Sequence, residues 1–166
     1  MRRMILLIGV LLSFNVLAQD SAQSKVLNQP KDSNQPVVKW TLLDQNDKAY
    51  TLNDSAQVLL IARSMSAAEL LDAAMEGQPE GYLEAHHIVY VADIEKMPSL
   101  VKIVAVPAMR SAKYRIMLDQ DGRVASRYGG DRDTVQWLAL NNGAVVSEQR
   151  FADAEKLKQA IAERAK

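Results

Sequence analysis

The stretch over residues 58–75, VLLIARSMSAAELLDAAM, constrains the fold most, because it joins a predicted strand directly to a predicted helix. Its first five residues, VLLIA, form a continuous apolar run, which is typical of a strand buried on both faces of a sheet. Residues Ser66 to Glu69, SAAE, match the capping box of a helix N-terminus, and apolar residues follow at helical spacing. The sequence therefore predicts a central buried strand, a helix capped by Ser66, and a junction at Arg63, Ser64 and Met65 near outward-facing N–H groups.

Strands and helices are predicted to alternate along the rest of the chain. Apolar runs and turn residues predict strands over 37–43, 49–52, 87–91, 116–118, 135–140 and 144–146. Helical spacing predicts helices over 98–106 and 152–164 and a short helical turn over 124–128. Asn141, Asn142 and Gly143 form a strong hairpin signal between the last two strands. This order predicts an N-terminal β-hairpin and a mixed α/β sheet covered on both faces.

The helix predicted over 98–106 combines an apolar pattern with a proline at its end. Leu100, Val101 and Val104 are predicted to face the core, because they recur at helical spacing. Pro107 is predicted to stop the helix, since the residue before a proline avoids the α conformation. The pattern therefore assigns this helix a packed inner face and an end at Val106.

The N-terminus has the pattern of a secretory signal peptide. Arg2 and Arg3 precede an apolar run over 4–17, and small residues up to Ala18 predict cleavage before Gln19. A retained membrane anchor is the alternative, although the run is shorter than the ~20 residues that span a bilayer. The predicted organisation is a signal peptide over 1–18, a flexible polar tail over 19–36 and one domain over 37–166, located in the periplasm with no stable membrane span after cleavage.

Composition excludes two classes of function. The 166-residue chain contains no cysteine, so disulfide, thiolate and lipoprotein chemistry are excluded. It carries 20 basic and 20 acidic residues, and removing the two arginines of the leader leaves a net charge of −2. A chain without excess positive charge is not expected to bind nucleic acid.

Several segments together resemble a known superfamily. WTLLDQNDKAYTL, VLLIARSMSAAELL, IMLDQDGRVASRYGG and VQWLALNNGAVV resemble secreted thioredoxin-like proteins of the TlpA and peroxiredoxin groups. SAAELL is also similar to YtfJ-like periplasmic proteins. The middle segment, YVADIEKMPSLVKIVAVPAMRSAKYRIMLDQDG, is similar to small secreted bacterial proteins often named FAD/FMN-containing dehydrogenases. The resemblance implies a thioredoxin-like α/β fold, with a central mixed sheet flanked by helices and an N-terminal β-hairpin.

The chain departs from that superfamily at the residues that carry its chemistry. A thioredoxin-like enzyme needs a thiolate in the first turn of the helix after the central strand, where the helix N-terminus lowers the thiol pKa. Residues 63–68 contain no cysteine, and Thr134 stands where the resemblance places a cis-proline. The resemblance therefore implies the fold without the redox reaction. We expect a non-catalytic binding or accessory module.

The resemblance also implies where such a module would bind. In thioredoxin-like proteins a groove at this helix N-terminus receives extended peptide, and Arg63 and Met65 would offer a directional charge and adaptable apolar contact here. The alternative is that these two residues only close the top of the sheet. The predicted contact residues for a peptide or acidic group of a periplasmic partner are Arg63, Ser64, Met65, Ser66, Asp133, Thr134, Met109 and Arg110.

Three alternative chemistries have weaker sequence support. Ser64 or Ser66 would need an adjacent general base to act as a nucleophile. His86 and His87 form a poor metal-ligand pair, because neighbouring strand residues point to opposite faces. A flavin-linked oxidoreductase, suggested by the names of similar proteins, lacks a glycine-rich phosphate cradle in this sequence. No bound cofactor is therefore predicted, with FAD or FMN as the alternative to be tested.

Overall fold

The computed structural model describes residues 39–164. The predicted signal peptide over 1–18 and polar tail over 19–36 lie outside the described residues, as do residues 37 and 38 of the first predicted strand. Within the described part, one seven-stranded sheet organises the chain. The predicted N-terminal hairpin and mixed α/β architecture are confirmed.

The sheet is mixed, with strand order β2-β1-β5-β4-β3-β6-β7. Its centre is a parallel group formed by β3, β4 and β5, and β6 and β7 extend it on one side as antiparallel strands. On the other side β1 pairs antiparallel with both β2 and β5. The strands are β1 (Thr41–Asp44), β2 (Ala49–Thr51), β3 (Val58–Ala62), β4 (Ile88–Asp93), β5 (Ile116–Asp119), β6 (Val135–Asn141) and β7 (Ala144–Phe151).

Helices flank the sheet on both faces. One face packs against the four α-helices, and the other packs against a 3₁₀ helix and the residues that precede and follow β1 and β2. Among residues 39–164, no helix is both long and apolar enough to span a bilayer. The helices are α1 (Met65–Met75), α2 (Tyr82–Ala85), α3 (Ser99–Met109), the 3₁₀ helix (Ala125–Tyr128) and α4 (Ala154–Arg164).

The central strand β3 has the burial that its sequence predicts. All five residues of VLLIA are buried, because β4 and β6 cover both edges and the two cores cover both faces. Burying each of its leucine, isoleucine and valine side chains contributes roughly 1.5–3 kcal/mol. The strand therefore holds the α1 junction at its carboxyl end in a fixed position.

The hairpin between β6 and β7 is also confirmed. Asn142 and Gly143 adopt left-handed backbone with φ of 49° and 77°, as a two-residue turn of this type requires. The strand β7 continues to Phe151, beyond the end at 146 that its apolar residues predict. Pairing with β6, rather than an apolar pattern, maintains this extra length.

The predicted capping box of α1 is wrong. The helix begins at Met65, and its N-cap is Ser64, whose Oγ accepts a hydrogen bond from the N–H of Ala67 at 3.1 Å. Ser66 therefore lies inside the first turn, and Glu69 is exposed. Both serines suit a cap, and contacts made by Ser64 outside the helix decide between them.

The predicted inner face of α3 is wrong as well. None of its residues is buried. Leu100, Ile103 and Val104 have exposed fractions of 81%, 68% and 71%, whereas Val106 and Met109 pack, half-buried, against the core. Because the helix is apolar on every side, its pattern contains no polar face to show which side points outward.

The predicted end of α3 is also wrong. Pro107 lies inside the helix, which continues to Met109. The N–H of Arg110 bonds to the carbonyl of Pro107 at 3.1 Å, so the turn after the proline still closes. A residue before proline disfavours the α conformation, but this is only a preference, and Val106 is helical here because the final turn of α3 continues past Pro107.

The end of β5 is fixed by a buried carboxylate. Asp119 is fully buried, and its Oδ2 accepts the N–H groups of Val124 at 2.9 Å and Ala125 at 2.8 Å. Its Oδ1 has no hydrogen-bond partner among the described residues. Burial raises the pKa of Asp119, and the nearby charge of Asp93 raises it further against the effect of the two N–H bonds.

We predict that Asp119→Asn stabilises the protein near neutral pH. The raised pKa means that the folded state binds this proton more tightly than the unfolded state does. Asp119 therefore lowers the free energy of unfolding as pH rises past the ordinary aspartate pKa of about 3.9. The amide keeps an acceptor for the two N–H groups and removes the buried charge, so the free energy of unfolding should rise by roughly 1 kcal/mol at pH 7. Urea unfolding at pH 7 and pH 3 checks this. An advantage that persists undiminished at pH 3 would contradict the proposed cause.

Candidate functional site

The junction between β3 and α1 presents only part of its predicted contact residues to solvent. Arg63 is buried, with an exposed fraction of 6%, and Ser64 is half-buried. Met65 is half exposed at 50%, and Ser66 is exposed beside it. Arg63 therefore does not offer its charge directly to a partner.

The buried guanidinium of Arg63 joins the junction to the end of the 3₁₀ helix. Its Nη2 donates to the carbonyl of Ala125 at 3.0 Å and to the carbonyl of Gly129. Burial lowers the pKa of Arg63, while the negative charge of Asp93 opposes that change. Gly130 packs directly against Nη1 with a φ of 119°, so neither its backbone nor the available space accommodates a side chain.

The loop facing α1 is organised by one carboxylate. Oδ1 of Asp131 accepts the N–H groups of Asp133 and Thr134, at 3.0 and 2.9 Å, and the hydroxyl of Thr134 at 2.8 Å. Its Oδ2 pairs with Arg150 on β7 at 2.7 Å. Burial tends to raise the pKa of Asp131, but the hydrogen bonds from Thr134, Asp133 and Arg150 outweigh burial and lower it. Thr134 is therefore used in loop structure.

Polar contacts continue beneath this loop. Gln136 is buried, and its Nε2 donates to Glu148 at 3.0 Å and to the carbonyl of Tyr128 at 3.2 Å. Glu148 also pairs with Arg150 at 2.8 Å. Oε1 of Gln136 and Nη1 of Arg63 have no hydrogen-bond partner among residues 39–164. The network therefore connects the junction, the loop and the β6–β7 pair.

The hydroxyl of Ser64 is fully used by the protein. It donates to the carbonyl of Arg132, accepts the N–H of Ala67, and lies 2.9 Å from the Ser66 hydroxyl. Since Ser64 has one proton to donate, Ser66 must donate to Ser64 in this arrangement. The geometry favours a capping and loop-tethering role over a nucleophilic one.

Met109 and Arg110 do not lie beside the junction. Arg63 follows the carboxyl end of β3, whereas Nε of Arg110 donates to the carbonyl of Gln45 at 2.9 Å. Gln45 bonds to Ile116, the first residue of β5, at the opposite edge of the parallel strands. The structure therefore brings together six of the eight predicted contact residues and separates the other two.

The two histidines lie at that opposite edge. β4 begins at Ile88, so the predicted strand start at His87 is wrong, and His87 instead has left-handed backbone with φ of 56°. His86 makes an edge contact with the Tyr82 ring, with centroids 4.5 Å apart. No group of three or more potential metal-ligating side chains is found in the described range.

A surface pocket of about 400 Å³ lies beside β1. Trp40, Arg123 and Arg127 line it. Both arginines contact protein carbonyls: Nη2 of Arg123 donates to Thr41 at 2.8 Å, and Nε of Arg127 donates to Arg123 at 3.0 Å. The two arginines of the pocket are thus partly engaged by hydrogen bonds within the protein. The prediction of no bound cofactor, with FAD or FMN as the alternative, stays a prediction.

Solved structures share the fold with little sequence identity. StoA from Bacillus subtilis matches with a TM-score of 0.50 and 14% identity over 75% of this chain and 98% of its own. A candidate thiol:disulfide interchange protein DsbE from Chlorobium tepidum matches with 0.52 and 18% over 78% and 95%. Peroxidoxin BcpB from Mycobacterium tuberculosis matches with 0.51 and 14% over 79% and 94%. No family model and no curated protein matches the chain.

These comparisons and the sheet topology define a thioredoxin-like fold. The chain keeps that fold with Ser64, Met65 and Ser66 at its helix junction and with no cysteine anywhere. We name the exposed residues around the Ser64–Arg132 contact, Met65, Ser66, Arg132 and Asp133, the α1 rim.

We predict that Arg63 and Met65 affect different properties of the protein. Arg63→Ala leaves the carbonyls of Ala125 and Gly129 without their donor and should lower the free energy of unfolding by about 2–3 kcal/mol. Met65→Ala removes an exposed side chain and should change it by less than about 0.5 kcal/mol. Chemical denaturation of both variants measures the difference. Equal stability of the two variants would contradict the structural role of Arg63.

Proposed function

We propose that the protein is a non-catalytic, extracytoplasmic thioredoxin-like module that binds a polypeptide at the α1 rim. The observation that carries this proposal is the state of the helix junction. The position suited to a reactive thiol holds Ser64, whose hydroxyl is committed to Ala67 and Arg132. The fold is kept, and the group that would react is replaced by one that holds the loop in place.

The chemistry of the α1 rim suits an extended segment with an acidic group. The first N–H groups of a helix have no partner in the preceding turn, and the N-terminus favours negative charge. Ser64 satisfies Ala67 in this way, so the N–H groups of Met65 and Ser66 remain at the surface end of α1. Arg132 is exposed across the Ser64 contact. A carboxylate at this point would meet these donors and the side chain of Arg132, while Asp133 is the one acidic residue of the rim.

Met65 would add apolar contact next to these polar donors. Its unbranched thioether side chain adapts to different surfaces at small cost. Half of it is exposed, although the helix that it begins is otherwise packed through Ala67, Leu71 and Ala74. This exposure supports a contact role for Met65, while the burial of Arg63 supports a positioning role for that residue.

The extracytoplasmic location belongs to the same proposal. It is supported by the charged start and apolar run of residues 1–18, which match a cleavable leader. Neither a flavin nor a metal ion is needed for binding at the α1 rim. The proposal therefore expects purified protein to be colourless and to carry no stoichiometric metal.

Site-specific photocrosslinking tests the contact surface. We predict that a photoreactive amino acid at Met65 yields discrete adducts in the compartment where the protein resides. The same group at Val146 on β7, which is 55% exposed, is the matched control and should yield none of these bands. Excess unlabelled protein should abolish the Met65 adducts, because a specific site saturates.

Two results would contradict the proposal. Identical adducts from both positions, or none from Met65, would mean that the α1 rim is not a specific contact surface. Reduction of insulin or peroxide above a no-protein control would mean that the protein is catalytic by groups other than thiols.

A further inference from the structure

The helix α3 carries four of the eight exposed large apolar side chains among the described residues. Leu100, Val101, Ile103 and Val104 are all exposed, and the helix has no buried residue. At 3.6 residues per turn, Leu100 and Val104 lie on the side opposite Val106 and Met109, which contact the core, and Val101 and Ile103 flank them. A helix that is apolar all round is normally covered on all sides. The exposed outer face of α3 is therefore a candidate contact surface.

The charged residues of the segment that carries α3 are basic, although Asp93 and Glu95 precede this segment and Asp119 and Asp121 follow it. Residues 96–118 contain five basic side chains and no acidic one. Arg110 pairs with Asp47 and Arg115 pairs with Asp44. Lys96 and Lys113 are exposed before and after the helix and form no ion pair within the described part of the chain. An apolar face with cations at both ends suits a surface that is apolar beneath a layer of negative charge.

The helix is too small to hold a second copy by itself. Eleven residues make a helix roughly 16 Å long. One face of that length falls short of the ~800 Å² per partner that stable protein interfaces bury. An interfacial helix needs only to insert its apolar face to the depth of the lipid headgroups.

We propose that α3 is a membrane-surface element, which inserts Leu100, Ile103 and Val104 into an anionic lipid bilayer. Lys96 and Lys113 lie at the headgroup level at the two ends of the helix. This orientation requires that the carboxylates of Asp93 and Glu95, on the segment that leads into α3, stay in water. Binding is reversible, because one short apolar face and a few cations attach a protein weakly.

Vesicle cosedimentation tests this proposal. The protein used begins at Gln19, since the apolar run over 4–17 would bind lipid by itself and every described element lies in residues 39–164. It should bind vesicles of equal phosphatidylcholine and phosphatidylglycerol, and bind pure phosphatidylcholine vesicles more weakly. Raising the salt concentration from 50 to about 500 mM should weaken binding to the anionic vesicles, because salt screens exposed charges.

Matched variants distinguish insertion of the α3 face from nonspecific lipid binding by exposed apolar residues. Ile103→Ser with Val104→Ser should weaken binding about tenfold or more, since two apolar side chains no longer insert. Serine has a helix propensity close to that of isoleucine and valine, so the helix should persist. Val145→Ser with Val146→Ser changes two exposed apolar residues on β7 and should leave binding unchanged.

A second pair of variants tests the charges. Lys96→Gln with Lys113→Gln should weaken binding and reduce its salt dependence, whereas Lys48→Gln with Lys156→Gln, also exposed, should do neither. Circular dichroism melting of every variant separates lost binding from lost folding. Equal binding by the α3 and β7 variants, equal binding to both vesicle types, or no binding by the parent protein would overturn the proposal. So would a dimer in sedimentation equilibrium that the α3 substitutions dissociate. Photocrosslinking at Met65 is independent of these outcomes.

Discussion

The buried guanidinium of Arg63 is the contact on which the rest of the site depends. A charged group taken out of water costs free energy unless its hydrogen bonds are replaced. Here the carbonyls of Ala125 and Gly129 accept two hydrogen bonds from Nη2, so the carboxyl end of β3 and the 3₁₀ helix are held together. Gly130 then has to pass close to the guanidinium, which fixes the path of the chain into the loop before β6. Because β6 pairs with β3, the loop and the junction form one closed structural unit.

In this closed unit the helix junction has a structural role. A helix N-terminus lowers the pKa of a thiol because its N–H groups and dipole stabilise negative charge. In this chain the first-turn N–H of Ala67 bonds to Ser64, and Ser64 in turn holds the loop through Arg132. The junction is thus rigid without a thiol. Under the proposed function, the same helix N-terminus would stabilise an acidic group of a partner.

The elements that sequence reasoning predicted well are those set by local chemistry. The five-residue run at 58–62 is apolar throughout, and only a position inside the sheet buries both of its faces. The turn at Asn142 and Gly143 needs left-handed backbone that these residues adopt readily. Overall topology followed from the order of such elements, and solved structures of the same fold support it.

The parts that were predicted wrongly depend on contacts between distant residues. The spacing SAAE favoured Ser66 as the cap, but Ser64 has a partner at Arg132, 68 residues further along the chain. For Arg63 the sequence left two roles open, a contact cation or a residue that closes the top of the sheet, because the carbonyls that accept its hydrogen bonds are 62 and 66 residues away. The Gly129-Gly130 pair was the available signal, because two adjacent glycines after a helical turn often mark a close approach of another group.

A comparison of α3 with α4 explains why the sequence did not indicate which side of α3 faces the core. In α4 the buried residues Leu157 and Ile161 lie on one face and charged residues occupy the other, so the sequence itself indicates the inner side. In α3 the sequence contains one charge, Lys102, and its Nζ approaches the carbonyl of Gln120. The same face of the sheet buries one side of α4, so the size of the core does not explain why α3 is exposed. The helix α3 therefore contributes only half-buried side chains to the core, Val106 and Met109 among them, while Leu100 and Val104 stay exposed.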